Sequence, residues 1–126
     1  MTTTGALAVS GRDRDAIDEA HLRRMTLGDR KLECDVLTIF ARQIDIVLGR
    51  IETAEPAVAA AAAHTLLGSA RGIGAWRVAS AAERFEACAG KSNGRAKAVE
   101  DLRVATREVI AAIEARLGAL SGLREH

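Results

Sequence analysis

The segment Ala61 to Glu86, AAAHTLLGSARGIGAWRVASAAERFE, holds the residues with the clearest chemical capacity. On a helix advancing about 100° per residue, Leu66, Ala62, Ala70 and Ile73 fall opposite His64, while Ala57, Ala60, Gly68 and Arg71 fall near it. The apolar side belongs to a core, so the imidazole is expected to face outward. A neutral imidazole is a nucleophile. An exposed one, which ordinarily titrates near about pH 6.5, is largely neutral at cytosolic pH. The small neighbours would let a bulky protein partner bring an electrophile to the ring. Gly68 is the sharpest of them, because a glycine inside a helix costs about 1 kcal/mol relative to alanine and needs a reason. Access is one reason and tight packing against another helix is a second. The alanines also fit helix propensity alone, and an isolated histidine also fits a merely solvated side chain.

Other chemistries find less support. Ser69 follows a glycine but lacks the G-x-S-x-G frame, and GSARGIG lacks both the G-K-[ST] ending and the preceding strand of a phosphate loop. His21 lies in a short first helix and His126 is the last residue; no E-x-x-H or H-E-x-x-H spacing occurs, so no metal site is expected. Cys34 and Cys88 stand far apart without C-x-x-C spacing and read as small core residues in a reducing compartment. Trp76 reads as an anchor at the start of a helix.

The elements that must position His64 follow from periodicity. Between Arg30 and Glu52, the positions Leu32, Val36, Phe40, Ile44, Val47 and Ile51 recur at steps of three and four, predicting a helix with one apolar face. Thr53 to Pro56 is a stop and restart, because proline suits a first helical position. The histidine helix therefore opens near Pro56 and runs to about Arg71, where Gly72 and Gly74 let the chain turn. Val78, Ala82, Phe85 and Ala89 predict an amphipathic helix of about four turns, closed by Gly90 and the Ser92, Asn93, Gly94 turn. Leu102, Ala105, Val109, Ile113, Leu117 and Leu120 mark a last helix that fades at Ser121 and Gly122. From Asp13, alternating charges with Ile17, Ala20 and Leu22 predict a short first helix, broken at Gly28 and Asp29.

Four main helices with short connections must pack antiparallel to close a core. The predicted fold is all-α, an antiparallel four-helix bundle over residues 13–120 with a short additional N-terminal helix. Residues 1–12 have no periodic apolar face and read as a flexible lead-in, and 121–126 read as a C-terminal tail.

Composition agrees with this frame. A chain of 126 residues builds one core. Aromatics are only 2% and Pro56 is the single proline, which favours helix over strand. Lys plus Arg, 18, nearly balance Asp plus Glu, 17, so no general grip on nucleic acid or an anionic membrane is expected. Met1 to Gly11 does not read as a secretory signal, and the apolar run Pro56 to Leu67 is too short to span a bilayer. A cytoplasmic location is expected.

In register, His64, Leu66, Gly68, Ser69, Ile73, Gly74, Val78, Ala79, Ala82, Phe85 and Glu86 resemble the pattern around the phosphorylated histidine of the histidine-containing phosphotransfer (HPt) domain family. Leu27, Gly28, Asp29, Leu32 and Phe40 look like that family's first turn and second helix, so the resemblance covers about Asp13 to Leu120. It implies an HPt-like bundle acting as a stand-alone phosphorelay intermediate. His64 would accept a phosphoryl group from a receiver-domain aspartate, on the ring nitrogen distal to the backbone, and pass it to another receiver. No autonomous kinase site and no cofactor of its own are implied, Mg2+ being supplied by the receiver. The implied partners are receiver domains of hybrid histidine kinases and response regulators, met by a monomer across a docking surface of Ala57, Ala60, Ala61, Leu67 and Gly68.

One position departs from the resemblance: many members carry lysine three residues after the histidine, where this chain has Leu67. Leu67 is then expected at the edge of the docking surface. Arg71, about 10 Å along the axis on nearly the same face, is the candidate phosphate-proximal cation, although a solvated arginine near a helix end fits equally. Two other functions stay open at this point. One is an HPt-fold binding module that docks on a receiver or kinase without carrying phosphate. The other is a dimerisation module that pairs through the apolar stripes of the second and last helices.

Overall fold

The computed structural model describes residues 15–88 and 90–125. They form five helices and no strand: α1 (Glu19–Met25), α2 (Arg30–Thr53), α3 (Pro56–Ile73), α4 (Trp76–Cys88) and α5 (Arg95–Glu125). Local chemistry sets the boundaries. Asp18 and Asp29 cap α1 and α2, their carboxylates accepting the N–H groups of His21 at 3.2 Å and Leu32 at 3.0 Å. Pro56 opens α3, where its missing N–H costs nothing, and Gly74 closes it in the left-handed conformation, φ 84°.

Side-chain pairs between helices give the directions. Glu52 of α2 meets Arg103 of α5, while Glu33, near the other end of α2, meets Arg116, so the two helices run antiparallel. His64 with Glu86 and Arg71 with Glu83 set the same relation for α3 and α4. The core lies along the bundle axis: Leu37, Phe40 and Ile44 from α2, Ala63, Leu66 and Ala70 from α3, Val78 and Phe85 from α4, and Leu102, Val109 and Ile113 from α5.

Four details differ from the periodicity. Leu32 is 42% exposed, and the buried seam of α2 instead begins at Glu33. Glu33 enters the core side because Arg116 hydrogen-bonds it, while the same guanidinium reaches Glu19 of α1 at 2.6 Å. Burial acts to lower the pKa of Arg116, but the hydrogen bond it donates to Glu33 and the charges of Glu19 and Glu33 outweigh it and raise the value. One half-buried cation thus ties α1, α2 and α5 together. Second, α5 stays helical through Glu125, past the expected fade at Ser121 and Gly122; one glycine costs a helix only about 1 kcal/mol, and no proline follows.

Third, α3 continues to Ile73, so Gly72 lies inside the helix and Gly74 alone makes the turn. Last, α1 starts at Glu19, not near Asp13, and its Ala20 is exposed. The lead-in over residues 1–12, Ala89, and the side chain of Leu120 lie outside the described residues. Among the described residues no helix is long and apolar enough to cross a membrane.

Candidate functional site

The middle of α3 carries His64, and the two sides of this helix divide sharply. Ala59, Ala63, Leu66 and Ala70 are fully buried, whereas the His64 side chain is 69% exposed. The outward orientation inferred from the wheel is what the structure places. Gly68, one turn onward, is exposed, and a Cβ added there would meet nothing within 4 Å. Tight helix packing is therefore not the reason for this glycine; open space beside the ring is. Ala57 and Ala61 share that exposed face, and Ala60 is half-buried against the core.

Glu86 completes the site. It lies on the antiparallel α4, and its two carboxylate oxygens stand 3.1 and 3.0 Å from His64 Nδ1. A carboxylate only accepts hydrogen bonds, so Nδ1 carries the proton and Nε2, the nitrogen distal to the backbone, keeps its lone pair. The pairing selects the nucleophilic tautomer at the atom a partner can reach. Residue spacing carried a usable signal for it: His64 lies ten residues before the Gly74 turn and Glu86 twelve after it, which sets them side by side in a helical hairpin. The sequence pattern includes Glu86 without showing its role.

Of the other expected site residues, Leu67 stands elsewhere and Arg71 is engaged across the helical hairpin. Leu67 is 5% exposed and belongs to the core cluster; it offers no surface to a partner. Arg71 is exposed, and its guanidinium points across to Glu83 of α4 at 3.8 Å. Glu83 precedes Glu86 by three residues, so this pair sits about 4.5 Å along the axis from the level of the imidazole. Large exposed apolar side chains are found instead on the α2 side: Ile39, 63% exposed, Ile46, and Val58 at the start of α3. Ile39, Val36 and Gln43 line a shallow groove with Ser69 and Ile73 of α3.

The other candidates take structural places. Trp76 anchors the start of α4 by donating from Nε1 to Asp18 at 2.9 Å, and the His21 ring packs on the indole with centroids 5.0 Å apart. Cys34 and Cys88 are half-buried free thiols. Among the described residues no three His, Cys, Asp or Glu side chains are grouped to hold a metal ion.

Among the described residues, the helical bundle presents one exposed imidazole, in hydrogen-bond contact with a carboxylate through Nδ1, beside a bare stretch of helix. Residues 35–122 match the family model of the Hpt domain, well over half of the chain, and the protein belongs to that family. Membership places it in the phosphotransfer steps of two-component signalling. The fold is similar to that of a rice protein described as a histidine-containing phosphotransfer protein and known from an X-ray structure. The TM-score is 0.76 at 18% identity, over 95% of this chain and 92% of that one. No curated protein matches the chain significantly.

Proposed function

We propose that this chain is a phosphorelay intermediate in which Nε2 of His64 takes a phosphoryl group from an aspartyl phosphate on one receiver domain and gives it to an aspartate on another. The Nε2 lone pair forms the N–P bond while the acyl phosphate O–P bond breaks, its electron pair leaving with the receiver carboxylate. The Nδ1 proton stays directed at Glu86. The reverse sequence delivers the group to the second receiver. The observation that carries this reading is the exposed imidazole with Nδ1 on Glu86 and open space over Gly68. Mg2+ and the acids that bind it come with the receiver, and the chain acts as a monomer.

The docking surface is proposed to spread toward α2. A specific partner covers about 800 Å² on each side, and the centre of such a patch is depleted in charge. On the α4 flank the site borders Glu83 and Glu86, whereas the α2 flank presents Ile39, Ile46 and Val58. Ala57, Ala61 and Gly68 form the floor between His64 and those apolar side chains. Receivers of hybrid kinases and of response regulators are the partners of this surface.

Incubation with a receiver carrying labelled phosphate tests the proposal. Acid-labile label is expected on the parent protein and none on His64→Gln. Absence of label on the parent, or label that persists in the variant, overturns it. A module that docks without carrying phosphate would instead keep its full biological activity as His64→Gln.

A further inference from the structure

We infer that Glu86, as a positioning residue, holds the Nδ1 proton on the ring after phosphorylation, so that His64 is a site of rapid release at neutral and alkaline pH. The inference rests on the relay reading and concerns the fate of the bound group. Once Nε2 has formed its bond to phosphorus, its lone pair is spent and the ring keeps a proton only on Nδ1. If that proton is lost, the N–P bond can break only by expelling an imidazolide anion, a poor leaving group. If it is kept, N–P cleavage returns the bonding pair to Nε2 and expels neutral imidazole, while the attacking aspartate oxygen or water forms the new O–P bond. An anion next to a proton-bearing cation favours the protonated form. Both oxygens of Glu86 lie at 3.0 and 3.1 Å from Nδ1.

The charges near the ring are few. From α4, Glu86 faces it directly; Glu83 lies about one turn away and is engaged with Arg71 of α3. Among the described residues no other charged side chain is bonded to the imidazole. The negative phosphoryl group itself also favours the proton, but it is present whatever stands at position 86, so a substitution there reports the carboxylate alone. With the imidazole 69% exposed and Glu86 35% exposed, solvent screens the contact. The expected effect is about fivefold, what one charge contact with its charge centres about 4 Å apart supplies in a water-like dielectric.

Chemical loading with phosphoramidate places the group on His64 without any receiver, and its loss is then followed from pH 5 to pH 9. Glu86→Gln keeps an oxygen that accepts the Nδ1 proton, so the tautomer is retained while the charge is removed. Equal label lifetimes at pH 5 and a lifetime about fivefold longer for Glu86→Gln at pH 9 are expected. Glu83→Gln should keep the parent ratio between the two pH values. Superimposable profiles for parent and Glu86→Gln overturn the inference, as does a shift of equal size in Glu83→Gln. If receivers fail to load the protein while the phosphoramidate-loaded profiles still separate, the relay reading fails and the role of Glu86 stands.

Discussion

At the middle of α3 and at its C-terminal end, the chain assembles a histidine, a glycine and a carboxylate and puts them to opposite uses. The first set is His64, Gly68 and Glu86; the second is His21, Gly74 and Asp18. In the first, the carboxylate meets the imidazole at Nδ1, the ring is exposed, and the glycine borders empty space. In the second, the carboxylate is occupied by the His21 N–H and the Trp76 indole, and Nε2 of His21 is buried without a partner. There the glycine is clamped as well. Asp18 donates its N–H to the Gly74 carbonyl at 2.9 Å, and a Cβ at Gly74 would lie 3.0 Å from Asp18 Cβ, 3.1 Å from its carbonyl oxygen and 3.2 Å from His21 Cβ. Residue type therefore says little about role. What the ring nitrogen and the missing Cβ would meet decides it.

The largest effect that could break this contrast is on stability. Gly74→Ala forces a side chain into the left-handed region at φ 84° and onto the backbone of Asp18. We expect a loss of about 2–3 kcal/mol in urea denaturation, the range for strain of this kind with a backbone neighbour that cannot swing away. The rate of phosphoryl transfer per folded molecule should stay as in the parent. An unchanged midpoint would mean that the α1 corner is not clamped on Gly74.

The same contrast explains what the sequence made legible. Helices α2, α3 and α4 could be placed because apolar residues recur at helical spacing and Pro56 and Gly74 punctuate them, and the outward angle of His64 follows from that same geometry. Leu32 was misplaced because periodicity counts only apolar residues, and Glu33 takes the inner position through an ion pair with Arg116, 83 residues away. Leu67 failed for a related reason. One helical wheel shows which way a residue points but not whether a neighbouring helix covers it, and Leu67 is buried in the core cluster. Ser121 and Gly122 resemble a stop, but a serine and one glycine do not end a helix by themselves, and α5 continues to Glu125. Glu86 needed the hairpin register as well as the wheel.

A moderate effect sharpens the comparison through the other glycine. Gly68→Gln introduces a side chain where nothing lies within 4 Å, so the fold should accept it. Glutamine is the better helix former, and stability should rise by about 0.5–1 kcal/mol. Transfer from a phosphorylated receiver should fall roughly tenfold, the cost of one obstructed position at the centre of an interface. Loading by phosphoramidate should be nearly unchanged, since that donor is small. Opposite signs for stability and transfer are what separate Gly68 from Gly74, where stability alone falls. Unchanged receiver kinetics would show that the bare turn is not a docking surface.

The smallest effect concerns Arg71, which flanks the first set through its contact with Glu83. Its guanidinium stands 3.8 Å from Glu83 with both side chains mostly in water, and such surface pairs contribute about 0–1 kcal/mol. Arg71→Ala should therefore leave the urea midpoint almost where it was. A phosphoryl group on His64 would compete with Glu83 for the guanidinium, because its oxygens carry more charge and match the planar donors as well as a carboxylate does. Since the arginine reaches only to about one turn from the imidazole, we expect transfer to slow about threefold in Arg71→Ala, an effect of surface-pair size. The parent rate should also fall more steeply with added salt than that of the variant, because screening removes an attraction the variant lacks. Equal rates at low salt would leave Arg71 as nothing more than the partner of Glu83.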